Sequence, residues 1–340
     1  MENNYKTLKL EKGMYKDRNK SFSEILEELD PSENYKDTPL SQLDAFQRQL
    51  KRFDIKVKGI NSDTVSKFFQ TSDSQALFPE YVSRSIYSGI EEDNDLKSII
   101  ANTIKIDNLQ YKNICIDFPN DVKEEKSITN IKEGDTIPEV KISLKENAIT
   151  LKKIGSMLSC SYETLQYQKI AAFNIALKQI GKKFNKLLFK DAITTLIEGD
   201  GNGNAAAKIT LKQKMSYSAL LDTWVKLKPY SLTTIIVSPT TMKKMLTIQE
   251  FLNPATGLNF QATGHINRLL GAKLICSSNV LENTIIALDN RYALNQIISQ
   301  YLNIESDKII EKQLNKSVIT MRYGFAKMFK DAAVYATTVE

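Results

Sequence analysis

The stretch LIEGDGNGNAAAK, positions 196–208, places Asp200, Asn202 and Asn204 two residues apart and interleaves them with Gly199, Gly201 and Gly203. This is the spacing of the first, third and fifth ligands of an EF-hand calcium loop, which also requires glycine at its sixth position and glutamate at its twelfth. Ala205 and Leu211 occupy those positions, so the calcium reading fails. A phosphate cradle would need G-x-x-x-x-G-K-[ST], or G-x-G-x-x-G opening a helix. The glycines here fit neither pattern, and they follow a helix-like stretch. What remains is a turn, in which glycines supply the positive φ angles that end a helix and Asp and Asn supply turn hydrogen bonds.

Other residues capable of chemistry are sparse. His265, in ATGHINRLLG, is the single histidine, and no G-x-S-x-G elbow accompanies it, so the sequence offers no Ser/His/Asp or Cys/His hydrolase. Cys115, Cys160 and Cys276 are odd in number, far apart and without C-x-x-C spacing, which reads as three reduced, buried thiols rather than a disulfide framework or a zinc site. No catalytic, cofactor or metal site is expected. The remaining pattern is electrostatic: Lys178, Lys182, Lys186 and Lys190 recur every four residues along a helical stretch. They form either a solvated face or a surface that meets nucleic-acid phosphates without sequence preference.

The elements that would position these groups are legible from periodicity. The chain of 340 residues is 42% hydrophobic and 25% charged, with a formal net charge of +6, as expected for a folded protein of two or three packing units. No run approaches the roughly 20 apolar residues of a membrane span, and the N-terminus lacks the apolar core of a signal peptide, so no membrane partner is expected. SFSEILEEL begins with Ser21 and Glu24 at capping-box spacing and places Phe22, Ile25, Leu26 and Leu29 on one face. A second helix is predicted over TPLSQLDAFQRQLKRF, capped by Thr38 with Pro39 at its first position. Positions 62–100 lose regularity and read as an extended, aromatic-dotted arm that needs a partner surface.

From 111 to 154 the period becomes two. Ile114, Ile116 and Phe118 share one side of a strand and Val140, Ile142 and Leu144 one side of another, joined by a charged tip. Ser161 then caps a helix predicted to run to Gly199, about 55 Å long. Phe173, Leu177, Ile180, Phe184, Leu187 and Leu188 form its apolar stripe, and Gly181 marks a bend. Between 215 and 300 amphipathic and strand-like stretches alternate, as in a compact mixed unit that includes Trp224 in its core. Strand-like runs close the chain.

This order of elements resembles the major capsid proteins of tailed phages with the Hong Kong 97-type fold. EGDTIPEVKISLKENAITLKKIGSMLSCSYETL is similar to the family's hairpin running into the spine helix, and LLFKDAITTLIEGDGNGN to the spine's end. TTIIVSPTTMKKM with INRLLGAKLICSSN resembles the axial domain, and VITMRYGFAKMFKDAAVYAT the closing strands. The resemblance implies an α+β fold with a helical leader over 1–61, an N-terminal arm over 62–100 and an extended hairpin loop over 101–155. A peripheral domain would comprise 156–228 and 302–340, and an axial domain 229–301. The leader resembles in placement the scaffolding segment that some members carry.

The implied function is a homo-oligomeric icosahedral head shell of hexamers and pentamers, formed in the host bacterial cytoplasm with portal and scaffolding proteins. It would enclose double-stranded DNA, touched nonspecifically by Lys178, Lys182, Lys186 and Lys190, and become part of the virion. No pattern marks the lysine, asparagine and glutamate of the family's covalent crosslink, so noncovalent assembly is predicted. The alternatives are an encapsulin-like nanocompartment shell, a nonspecific nucleic-acid-binding protein, and an enzyme with an unrecognised site.

Overall fold

The computed structural model describes every residue except 1–3, 17–19, 94, 118–129, 135, 136, 138, 212, 253–267 and 340. His265 and most of the hairpin tip lie outside the described residues. In chain order the elements are α1 (Phe22–Leu29), α2 (Ala45–Arg52), α3 (Ser72–Glu92), β1 (Asn102–Lys105), β2 (Gln110–Tyr111), β3 (Ile114–Asp117), β4 (Lys141–Leu144), β5 (Ile149–Thr150) and β6 (Lys152–Ser161). They continue as α4 (Tyr162–Tyr167), α5 (Ile170–Glu198), β7 (Ala207–Leu211), α6 (Tyr217–Lys226), β8 (Thr234–Val237), α7 (Pro239–Leu246), α8 (Gln249–Leu252), β9 (Lys273–Cys276), β10 (Thr284–Leu288), β11 (Leu294–Ile309), β12 (Leu314–Lys327) and β13 (Ala333–Thr338). Two compact units result: Met1–Asp93 with Lys153–Lys186 and Tyr301–Met321, and Asn94–Lys152 with Leu187–Gln300 and Arg322–Glu340. They group the chain differently from the five segments implied by resemblance, since the hairpin and β13 fall with 229–300.

In the first unit the leader is part of the core. Phe22, Leu26, Phe46 and Leu50 are buried in one cluster with Leu77, Phe78 and Ile86 of α3 and Ile170, Phe173, Leu177 and Phe184 of α5. The Ser21–Glu24 capping box forms as expected. The second helix starts later than predicted: Asp44, not Thr38, is its N-cap, in a capping box with Gln47. Thr38 instead caps a turn, its hydroxyl donating to the Tyr35 carbonyl. Arg48, fully buried, joins α2 to the segment before it through Asp30 Oδ2 at 2.6 Å and the Leu43 carbonyl at 2.6 Å, with its guanidinium 4.3 Å above the Tyr35 ring. Burial, and then the neighbouring Asp30 carboxylate, push the Tyr35 phenol up to about 12.

The predicted extended arm is a helix. α3 spans 21 residues with Pro79 inside it, opened by Thr71 accepting from the Ser74 N–H. Packing explains the difference, because Ala76, Leu77, Phe78, Tyr81, Val82 and Ile86 are all buried and their burial outweighs the missing donor of Pro79. Gly89 and Gly181 mark where α3 and α5 meet. A Cβ on Gly181 would overlap the Ile86 carbonyl oxygen, and one on Gly89 the Lys178 carbonyl oxygen. Gly181 thus serves close helix approach rather than the predicted bend.

The long helix is also divided. Ser161 caps α4 as expected, but Gln168 leaves the helical region with ψ 135° before α5 begins. The Val65 N–H donates to the Gln168 carbonyl, the Ile170 N–H to the Asp63 carbonyl and Lys169 Nζ to the Ser62 carbonyl, so a strand-like bridge takes the backbone groups that a continuous helix would use. The remaining 29 residues of α5 extend about 44 Å.

The second unit is organised on a sheet of order β7-β13-β10-β8-β9. β10 is antiparallel to both β13 and β8, while β7 and β9 run parallel to their neighbours. Every residue of β8 and β10 is buried, which accounts for the continuous apolar runs TIIV and TIIAL. The other strands among the described residues form a sheet of order β1-β11-β12-β6, which is not confined to this unit, and the pairs β2-β5 and β3-β4. Two expectations about burial change. Trp224 is 37% exposed with Lys228 Nζ 4.5 Å from its ring, and of the three thiols only Cys160 is buried, Cys115 being half-buried and Cys276 exposed.

Candidate functional site

The glycine turn is a densely hydrogen-bonded polar site of the second unit. Gly199, Gly201 and Gly203 all take positive φ, as the turn reading requires. At Gly199 a Cβ would also come 2.7 Å from Asn204 Oδ1, so that position is restricted twice over. The end of α5 leaves carbonyls without helical partners, and the fold supplies them. Gly199 N–H donates to the Thr195 carbonyl, Ala206 N–H to that of Ile197, and Lys327 Nζ to that of Leu196 at 2.9 Å.

Lys327, the last residue of β12, is fully buried and connects the turn to the hairpin. Its N–H donates to Asp200 Oδ2 at 2.9 Å. Its carbonyl accepts from Asn204 Nδ2 at 2.9 Å, Asn113 Nδ2 at 3.1 Å and Lys145 Nζ at 2.9 Å. Burial lowers the Lys327 ammonium to about 8, while Asp331 and Asp200 oppose the shift. The negative end of α5 also favours the cation. Nearer the surface, the Asn147 N–H donates to Asn202 Oδ1 at 3.0 Å, Asn147 Nδ2 to the Gly201 carbonyl at 2.7 Å, and Asn202 Nδ2 to the Asn147 carbonyl at 3.3 Å. Sequence reading identified the turn but missed Lys327, Asn113, Lys145 and Asn147. Their partners lie far away along the chain, and isolated Lys and Asn residues give no local signal.

The hairpin stem follows the expected pattern. β3 and β4 are antiparallel with Ile114 opposite Leu144 and Ile116 opposite Ile142, which puts the apolar set on one face. That face is open: Ile142 is 72% and Leu144 63% exposed, and Val140 and Ile114 are exposed as well. Phe118 lies outside the described residues.

The four lysines do not share one environment. Lys178 is half-buried, and Lys182 pairs with Glu92 at 3.6 Å; Lys186 and Lys190 are exposed. Among the described residues, no group of three or more His, Cys, Asp or Glu is placed to hold a metal ion, and no helix is long and apolar enough to cross a membrane.

Comparison with known proteins bears on this geometry. No curated protein matches the chain in sequence. Among solved structures, the capsid of the cyanophage P-SCSP1u is similar with a TM-score of 0.53 at 12% identity, covering 70% of this chain and 86% of that one. The capsid of a native GTA particle is similar with a TM-score of 0.52 at 14% identity, covering 72% and 90%. These likenesses support the α+β capsid fold. The family model for phage capsid proteins matches residues 145–331, from Lys145 directly after the hairpin's return strand, through α5 and four of the five strands of the β7-β13-β10-β8-β9 sheet, to just past the turn-bound β12, and by that match over more than half its length the chain belongs to the phage capsid protein family.

Proposed function

We propose that the chain is the major capsid protein of a tailed phage. Many copies would associate without covalent crosslinks into the icosahedral head, as hexamers and pentamers, together with portal and scaffolding proteins, and the shell would hold double-stranded DNA. The role is mechanical rather than enzymatic. Membership of a capsid family supports a shell subunit and virion component; the open apolar face of the hairpin carries the mechanism. A two-stranded ribbon is marginal alone, and contiguous exposed Ile, Leu and Val side chains are what an intersubunit contact buries. The five-segment division serves this reading: 62–100 as arm segment, though helical, 101–155 as assembly loop, 156–228 with 302–340 as peripheral and 229–301 as axial domain.

Electron microscopy of the purified full-length chain should show closed, uniform particles. Deleting 121–135 should leave a soluble subunit that forms none, and normal shells from that deletion would refute the hairpin's role. The same preparations, mixed with duplex DNA, test the lysine face. We assign Lys186 and Lys190, with Lys178 and Lys182 beside α3, to nonspecific phosphate contact, which should weaken steeply as salt rises. Binding that is insensitive to salt would remove that assignment.

A further inference from the structure

We infer that the glycine turn and Lys327 form a latch that fixes the direction in which the hairpin leaves its subunit. The inference rests on the reading of the hairpin as an assembly element and names the residues that aim it. The β3-β4 ribbon has four cross-strand pairs, and the β2-β5 pair below it has two. So few pairs hold the two strands to each other, but they leave the ribbon able to swing about its root.

Contacts outside the ribbon must therefore set its angle, and they are made to both strands. On the outgoing side, Asn113, directly before β3, donates through its side chain to the Lys327 carbonyl, and its own Oδ1 accepts from the Ile114 N–H at 3.0 Å. On the return side, directly after β4, Lys145 donates to the same carbonyl at 2.9 Å. Two residues on, Asn147 exchanges three hydrogen bonds with Gly201 and Asn202. One anchor would be a pivot, whereas anchors on both strands define an axis.

The receiving surface is itself held in place. Asp200 and Asn204 grip the Lys327 backbone from both sides, and Asn204 Oδ1 accepts from the Asp200 N–H at 3.0 Å. Glycines at 199, 201 and 203 let the turn fold tightly enough to present Asn202 outward and Asn204 inward, the former half-buried and the latter buried. The turn thus acts as a socket for the hairpin root. A shell of uniform size needs the hairpin direction held within a narrow range in each copy, which is what two anchors on a fixed socket provide.

The test uses the full chain carrying Asn202→Ala, which removes the partner of the Asn147 N–H without touching buried Lys327. Asn147→Ala, at an exposed position, is the second variant should the first fail to fold. Hydrogen–deuterium exchange should speed up at least tenfold over residues 145–149, with α5 exchange unchanged, and particles should lose their uniform diameter in electron micrographs. Unchanged exchange at 145–149 in both variants would overturn the latch. Faster exchange with an unchanged particle diameter would overturn its part in assembly. Failure of the underlying reading looks different: the 121–135 deletion would then form normal shells whatever Asn202 does.

Discussion

Lys327 carries an ammonium group into a buried position because three groups make the charge tolerable: the Leu196 carbonyl at the end of α5, and the carboxylates of Asp331 and Asp200. They do not fully offset the lost hydration, and the group titrates at about 8 instead of its ordinary 10.5. The sign of the consequence follows from proton linkage. Between pH 8 and 10.5 the unfolded chain holds the proton that the folded chain has released, so stability rises with pH through that window; below pH 8 the buried charge costs on the order of 3 kcal/mol. Compared with Lys327→Met, whose other titrating groups are the same, the wild type should gain roughly 2 kcal/mol between pH 7 and about 9.5 in urea unfolding. A difference that stays flat with pH would mean that Lys327 is hydrated in solution. The lysines chosen from sequence illustrate the converse. Their four-residue spacing placed them on one helix, yet Lys182 meets Glu92 while Lys186 and Lys190 face solvent, because only some turns of α5 lie against α3.

Helices α3 and α5 show how a propensity argument can point the wrong way at the level of an element. Alanine is favoured over glycine inside a helix by about 1 kcal/mol, so Gly181→Ala would stabilise an isolated α5. In this fold the added methyl would overlap the Ile86 carbonyl oxygen, and the backbone cannot yield as a flexible side chain would. The substitution should therefore destabilise the protein by about 1–3 kcal/mol, read from the shift of a chemical unfolding midpoint. An unchanged or raised midpoint would show that the helices are further apart than described. α3 was hidden from sequence reading for a related reason. Pro79 and Gly89 interrupt its local signal, and its Thr71–Ser74 cap lacks the Glu or Gln that makes such a box conspicuous.

At the scale of the whole chain the leader changes meaning. The leader's resemblance in placement to a scaffolding segment suggests a part separable from the rest, but the apolar residues of its helices share one core with α3 and α5. It is also tied to α3 by Arg84, which reaches Asp44 at 2.6 Å and Glu80 at 2.9 Å and lies over the Phe46 ring. Removing residues 1–61 should then expose the buried faces of Phe78, Val82 and Ile86 and yield aggregated protein. A soluble 62–340 fragment with native circular dichroism would show instead that the leader is dispensable to the fold.

By itself, the sequence determined what depends on neighbours a few residues apart. The Ser21 and Ser161 caps, the alternation of β3 and β4, the buried runs of β8 and β10 and the helix-ending glycines at 199–203 all obey short-range rules of sterics and periodicity. Tertiary structure alone decided the rest. The helical state of 72–92, the break at Gln168 and the joining of Asn113, Lys145, Asn204 and Lys327 at one carbonyl each require a partner tens to hundreds of residues away. Burial and backbone hydrogen bonding are satisfied over the whole fold, so a distant segment can overrule a local preference worth about 1 kcal/mol wherever it supplies the better partner.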